Sequence, residues 1–425
     1  MRRRNAKPGL RSAAIAALTL LAAGCAASSV SSGHPSTGPG RTHTAAAAAP
    51  AAAVTITPAN GTRTADPSAG ITVTATHGTL RTVSVRSRGS SVPGDLSDGG
   101  KVWHSRWALG VSQDYTVRAT ASASGAVAAT SRFRTLTPSS TFQTQIFEGY
   151  KQTYGVGMPV ILTFSQPITD KAAVERSLQL ATSRHVVGAW YWDGNQTLDF
   201  RPRTYWPAGT TVSFTGHLDG VQGAPGMYDT HTLTQTFDIG PSLVAVGNTR
   251  THRTQIYYNG KLRYNWPISS GKPGDATPNG SYLTIEKGNP VRMKGPGYNL
   301  LVPWSVRFTF SGDYYHDAYW SVNQQGFENV SHGCVNLSPA DAKTYYKLAV
   351  PGDPVTIVGS PKGGKWDNGW TEWFLTWRQY LRGSALHEAV LAGPHGSTFV
   401  SPASVPASTA KAPLRTSPAN NWAAG

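Results

Sequence analysis

From Val54 onward, apolar and polar residues alternate in short runs. "VTIT", "ITVTAT", "LRTVSVR", "DYTVRATAS" and "AVAATSRFRTL" are separated by Gly, Asp and Ser turns. A period of two is that of half-buried strands, and several such strands at this spacing predict an antiparallel sandwich over residues 54–137. A second β region covers 138–239, with "MPVILTFSQPI" and "GAWYWDGNQTLDFRPRTYWPAGTTVSFTG" as strands. Within it, "DKAAVERSLQL" carries apolar residues at helical spacing behind Asp170 and predicts a short helix. A third region, 240–360, alternates again in "SLVAVGN", "TQIYYNG", "KLRYNWPIS", "SYLTIEKG", "SVRFTFSG" and "DPVTIVGS". Its "SPADAKTYYKLA" predicts the principal helix, with Ser338 as N-cap and Pro339 at the first helical position.

The flanks break this pattern. Residues 1–25 join a basic start, "MRRRNAKPGLR", to the short apolar "SAAIAALTLLAAG" and then Cys25, the pattern of a secretory leader. Residues 26–53 are Ala, Ser, Gly and Pro with few large apolar side chains, so they predict a flexible tether. Tryptophans crowd 361–385 and predict a packed appendage, while 386–425 read as a disordered tail.

Composition agrees with β architecture, since 45 Gly and 29 Pro supply many turns and only 14% of the 425 residues are charged. The formal net charge of +16 suits anionic polymers or membrane surfaces. Its basic residues are scattered beyond the N-terminus, which argues against a nucleic-acid partner. The aromatic group Trp190, Tyr191, Trp192, Tyr205 and Trp206 has two readings, a carbohydrate platform or core packing.

There are two cysteines. If Cys25 is consumed by processing, Cys334 in "SHGCVNLS" stands alone, with no internal disulfide to form. It reads as buried filler, as a zinc ligand with His316 and His332, as half of an intermolecular disulfide, or as a nucleophile. The zinc reading lacks a second thiol or an HExxH pair. The nucleophile reading has physical support. A free thiol ionises only near pH 8.5 and needs a base, and His316 lies on a predicted strand fourteen residues ahead of "SHGC". Two adjacent strands would bring imidazole to sulfur. A helix N-terminus just after Cys334 would help to hold a thiolate, and the N–H groups of Gly333 and Cys334 would hold an oxyanion.

His316, a fourteen-residue spacer and then "SHGCVN" resemble the signature of the L,D-transpeptidases, the YkuD-type catalytic domain. "GDATPNGSYLTI" resembles the stretch before that family's active-site flap, and "NPVRMKGPGYNLLVPW" resembles the flap. "GMPVILTFSQPI", "RPRTYWPAGT" and the Trp-rich segment resemble the lipid-anchored actinobacterial members, and "LAAGC" resembles a lipobox that would put lipid on Cys25. The resemblance implies a mainly β chain of two Ig-like sandwiches, a YkuD-type catalytic domain with one principal helix, and a small Trp-rich C-terminal subdomain.

It also implies roles. Cys334 would attack the third residue of a tetrapeptide stem of peptidoglycan, release D-Ala and pass the acyl group to a second stem as a 3→3 cross-link. His316 would be the base. His332 and Asn336 would shape the site, while Tyr298, Met293 and Trp304 of the flap, with Ser331 and Asn336, would meet substrate. The backbone carbonyl of Asp317 would orient His316, with a side-chain role for Asp317 left open. No cofactor is implied. Carbapenems would be covalent inhibitors, and the chain would sit on the extracytoplasmic face of the cytoplasmic membrane. Two alternatives remain open at this point: an L,D-carboxypeptidase using water as acceptor, and an inactive wall-binding lipoprotein.

Overall fold

In the computed structural model, residues 53–122, 126–295 and 297–405 are described, all within one compact unit that begins at Pro50. Cys25, the expected leader and almost all of the expected tether lie outside them.

The first alternating runs form two four-stranded sheets. One orders Ala53–Thr57, Thr72–Thr76, Val102–Ser105 and Gly94–Ser97; the other orders Ser90–Ser91, Thr79–Ser87, Asp114–Ser122 and Ala126–Arg134. Every second residue of Asp114–Ser122 is buried, so Tyr115, Val117, Ala119 and Ala121 meet Val73, Val85 and Trp103 in one core. Burying a side chain of valine size or larger here stabilises the sandwich by about 1.5–3 kcal/mol.

The second β region is built on a ten-stranded sheet. Its core holds Trp190, Phe200, Phe214 and Phe237, each at most 1% exposed. Trp192 and Trp206 are buried there too, while Tyr191 and Tyr205 pack against Trp366 and Trp373. The aromatic group is therefore core, not a sugar platform. The expected helix is shorter than its periodicity suggests. Helix α1 spans Lys171–Arg176, with Asp170 accepting from Ala173 N at 3.2 Å. The chain then leaves the helix as the strand Leu178–Thr182, because Leu178 and Leu180 alternate into the core and pair with Thr211–Gly216. A six-residue helix has little intrinsic stability to oppose that pairing.

The third region holds a five-stranded sheet and a four-stranded one. The latter orders Glu286–Gly288, Ser305–Arg307, Tyr314–Asp317 and Val335–Leu337. Helix α2, Pro339–Leu348, lies against it with Ala342 and Tyr345 buried, the Tyr345 ring 5.0 Å from that of Tyr315. Ser338 caps α2 by accepting from Asp341 N at 3.2 Å. A hairpin, Val291–Gly295 with Tyr298–Val302, stands out from the sheets.

The Trp-rich segment ties the second sandwich to the third region. Helix α3, Trp377–Leu381, carries a capping box between Thr376 and Gln379. The Arg201 guanidinium is held over the rings of Trp373 and Tyr380 at 4.4 and 4.3 Å. On the other side, Phe374 meets Tyr282 edge-on at 5.1 Å.

Residues 386–405 overturn the expectation of a tail disordered from 386. Ala389–Gly393 inserts between Val186–Asp193 and Leu178–Thr182, and Gly396–Val400 pairs back onto it. Buried Glu175 fastens the approach, accepting from Ser384 Oγ at 2.7 Å, Ala385 N at 2.6 Å and Trp192 Nε1 at 2.7 Å. "AVLAG" is too short and too small-residued to announce a strand, and its stability comes from two waiting edges. Residues 406–425 lie outside the described residues.

Candidate active site

Tyr314–Asp317 and Val335–Leu337 pair in parallel, with His316 opposite Asn336. Side chains alternate along a strand, so Cys334, two residues before Asn336, shares its face with His316. Of the two residues singled out from spacing, His316 is thus on one strand and Cys334 at the residue just before its neighbour. A three-residue strand separates Cys334 from α2, so the helix N-terminus does not adjoin the sulfur as expected; strand pairing, not the helix, positions it.

The His316 imidazole is buried, and its Nδ1 lies 2.7 Å from the carbonyl oxygen of Asp317. A carbonyl only accepts, so Nδ1 carries the proton and Nε2 keeps its lone pair. The Asp317 carboxylate does not take part in this contact; its Oδ1 accepts from Tyr319 N at 3.1 Å. Burial pushes His316 down to about 4, against the opposing hydrogen bond to Asp317. Burial, with the Asp313 carboxylate nearby, pushes the Cys334 thiol up to about 12, against the Tyr314 N–H. The resting pair is a neutral thiol and a neutral imidazole. Sγ lies 3.7 Å from Gly312 O, the thiol donating.

The turn that carries Cys334 is fixed by Ser331. Its hydroxyl donates to Cys334 O at 2.6 Å and accepts from Gly333 N at 3.1 Å. The Gly333 N–H is therefore engaged inside the turn, a correction to its expected role as an oxyanion donor. Gly333 is required for shape: its φ is +131°, and a Cβ there would stand 2.4 Å from Asp313 Oδ1. Thr277 Oγ1 donates to Gly333 O at 2.5 Å. Asn336 is buried and donates to Ser321 Oγ at 2.8 Å. Ser331 and Asn336 thus hold the site's frame rather than face a ligand.

On the hairpin, the Tyr298 ring sits 5.1 Å from that of His332. Burial raises its phenol above the usual value, with Cys334 the next contributor. Met293 is half-buried opposite Leu300. Trp304, expected to meet substrate, packs instead edge-on against Tyr346 at 5.3 Å and under Lys343 at 5.4 Å, both on α2. It anchors the hairpin's base.

Several residues here escaped the sequence reading. Lys272 Nζ lies 3.0 Å from Nε2 of exposed His332, so that nitrogen accepts and its ring proton sits on Nδ1. Asp313 is buried beside Gly333, accepting from Thr309 Oγ1 at 2.7 Å. The Trp320 ring stands 5.9 Å from His316. The proximity of "SGKPGDATP" to "SHGC" was the missing signal, and it follows from Lys272 N donating to Ser331 O at 2.9 Å. Among the described residues, no group of three or more His, Cys, Asp or Glu is placed to hold a metal ion.

Comparisons with known proteins bear on this arrangement. Residues 62–222 match the bacterial Ig domain, and residues 242–357 match the L,D-transpeptidase catalytic domain. The chain is 32% identical over 322 residues to L,D-transpeptidase 2 of Mycobacterium tuberculosis, covering 72% of this chain and 79% of that protein. It is 38% identical over 215 residues to L,D-transpeptidase 1 of the same species, covering 48% of this chain and 80% of that protein. The solved structure of LdtMt1 in complex with imipenem covers 52% of this chain and 100% of its own, at 35% identity and a TM-score of 0.44. The matched catalytic segment contains the strand pair that holds His316 and Cys334, and the longest alignments run through the sandwich before it: the chain belongs to the L,D-transpeptidase family, as a cysteine-dependent acyltransferase.

Proposed function

We propose that the protein forms 3→3 cross-links between peptidoglycan stems through a thioester on Cys334. The observation that carries this reading is the His316 tautomer. With Nδ1–H tied to Asp317 O, Nε2 is the free base on the face it shares with Cys334. As a tetrapeptide stem binds, Nε2 takes the Sγ–H proton while sulfur bonds to the carbonyl carbon of the third residue. The C–N bond to D-Ala then breaks, and His316 returns the proton to the departing amine. The side-chain amine of a second stem attacks the thioester carbonyl. The C–S bond breaks as the amine's proton passes through His316 to sulfur, leaving a new amide and regenerating the thiol.

With Gly333 N–H held by Ser331, the oxyanion donors in this proposal are the N–H groups of Cys334 and of Tyr314, the latter beside the sulfur. Lys272 beside His332 offers a cation to the carboxylates of the incoming stem. The hairpin's Tyr298 covers the thioester and favours an amine over water as acceptor.

The test is product analysis on isotope-labelled tetrapeptide stems, with D-Ala release and dimer followed by mass. Release of D-Ala without dimer would leave a carboxypeptidase. Intact mass after incubation with imipenem should show one adduct, on Cys334. We also propose lipid on Cys25, holding the protein at the extracytoplasmic face of the membrane. Membrane partition lost in Cys25→Ser supports it, and equal solubility of both forms overturns it.

A further inference from the structure

The first sandwich has one face that the catalytic reading leaves unused. The outward face of the sheet containing Thr79–Ser87, Asp114–Ser122 and Ala126–Arg134 carries arginines set among hydroxyls, with Ala128 opposite Thr120 and Asp114 at one end. Arg86 pairs across Thr116 to Arg132, so two exposed guanidinium arms flank one threonine in a single cross-strand row. Their backbones are two strand spacings apart, about 9.6 Å. Arg118 stands between them in the next same-face row, about 7 Å along the strand, flanked by Ser84 and Thr130. A register break at Arg81 adds a fourth arm, whose Nε donates to Ser122 Oγ at 2.7 Å. The one acidic residue in these rows, Asp114, is paired with Arg134 at 2.6 Å. Arg86, Arg118 and Arg132 have no ion pair among the described residues.

We propose that this face binds a linear phosphodiester polymer of the polyol-phosphate type. Guanidinium forks match phosphate oxygens in bidentate fashion, and a flat row of them matches a repeating anion rather than a single ion. The residues between them, Thr82, Ser84, Thr116 and Thr120, offer hydroxyls to acceptor oxygens. They are not side chains that enter a hydrocarbon layer, which sets a bilayer surface aside. Nor do these rows carry a ring on which a base would stack, which sets nucleic acid aside. The first sandwich thereby gains a function of its own, holding the enzyme along an anionic wall polymer.

The test uses the full chain and a poly(glycerol phosphate) of defined length, with binding read by fluorescence anisotropy. Four phosphate contacts give a slope of log affinity against log salt of about −3. The triple variant Arg86→Gln, Arg118→Gln, Arg132→Gln should lose on the order of tenfold or more at low salt and flatten the slope to about −1. A charge-matched control, Arg176→Gln, Arg184→Gln, Arg250→Gln, removes the same charge from exposed positions outside this sandwich and should bind within about twofold of the parent. Melting temperatures check that both variants fold. Equal loss in both variants, or no binding by the parent, overturns the proposal. So does tighter binding to a single-stranded oligonucleotide of equal charge, or to anionic vesicles. Turnover of stems is not part of the readout, so failure of the catalytic reading would leave this result standing.

Discussion

His316 and Asp317 are joined through the backbone: Nδ1–H donates to the Asp317 carbonyl at 2.7 Å, while the carboxylate of the same residue turns to Tyr319 N. Asp317→Asn should therefore keep cross-linking within about threefold of the parent. Cys334→Ala and His316→Ala should each lose on the order of 10⁴-fold, and the double variant little more, because the two act as one unit. Single-turnover acylation by imipenem checks all four. A collapse in Asp317→Asn would restore the side-chain triad.

Burial sets the ionisation of both reacting groups. With the thiol raised to about 12, alkylation of Cys334 by iodoacetamide should climb steadily to pH 10 without a plateau. Acylation by a bound stem follows neutral His316 instead. Because that imidazole is held down to about 4, the acid limb of acylation should fall below about pH 5, not near the ordinary histidine value. A thiol alkylation midpoint near 8 would contradict the neutral resting pair.

Gly333→Ala places a methyl 2.4 Å from Asp313 Oδ1 at a φ of +131°. The backbone strain alone is about 1–3 kcal/mol, and the turn holding Cys334 would shift. Activity should fall below detection while the sandwiches stay folded. Adding Asp313→Ala relieves the contact but not the φ, so rescue should be partial. Full activity in the single variant would mean the turn tolerates movement.

Tyr298→Ala should lower transfer more than it lowers melting temperature, and raise the share of hydrolysed stem. Tyr298→Phe separates ring from hydroxyl, keeping the cover over the thioester. An unchanged product ratio in Tyr298→Ala, with lower thermal stability, would make the ring mere packing against His332.

Glu148 is buried and raised to about 8, mainly by burial, with Glu372 adding repulsion; Asp199 is the third buried carboxylate of the group. A carboxyl raised in the fold favours the native state below its unfolded value, and that advantage drains away as pH rises towards 8. Glu148→Gln keeps an acceptor for Ile161 N and removes the drain. Its melting temperature should exceed the parent's at pH 9 by about 3–6 °C and match it near pH 4. Thermal scans at the two pH values decide it.

The nucleophile was legible because its signal is local: a histidine, a counted spacer and a glycine beside a lone thiol. The strand alternation of Asp114–Ser122 was equally plain, since one face is buried along its whole length. What stayed hidden were properties of partners distant in sequence. Trp304 reads like a ligand contact until Tyr346 and Lys343 are seen packed against it. Gly333 N–H reads as free until the Ser331 hydroxyl is placed. Lys272 carried no mark at all, because its meaning depends on His332, sixty residues later.

The strand Ala389–Gly393 has one more consequence, and it concerns the order of synthesis. Leu180 N bonds Ser397 Oγ across 217 residues, so the second sandwich cannot close its sheet until the strands beyond the catalytic region have been made. While the catalytic region is being made, two strand edges lie open at Val186–Asp193 and Leu178–Thr182, a template for pairing with the wrong chain.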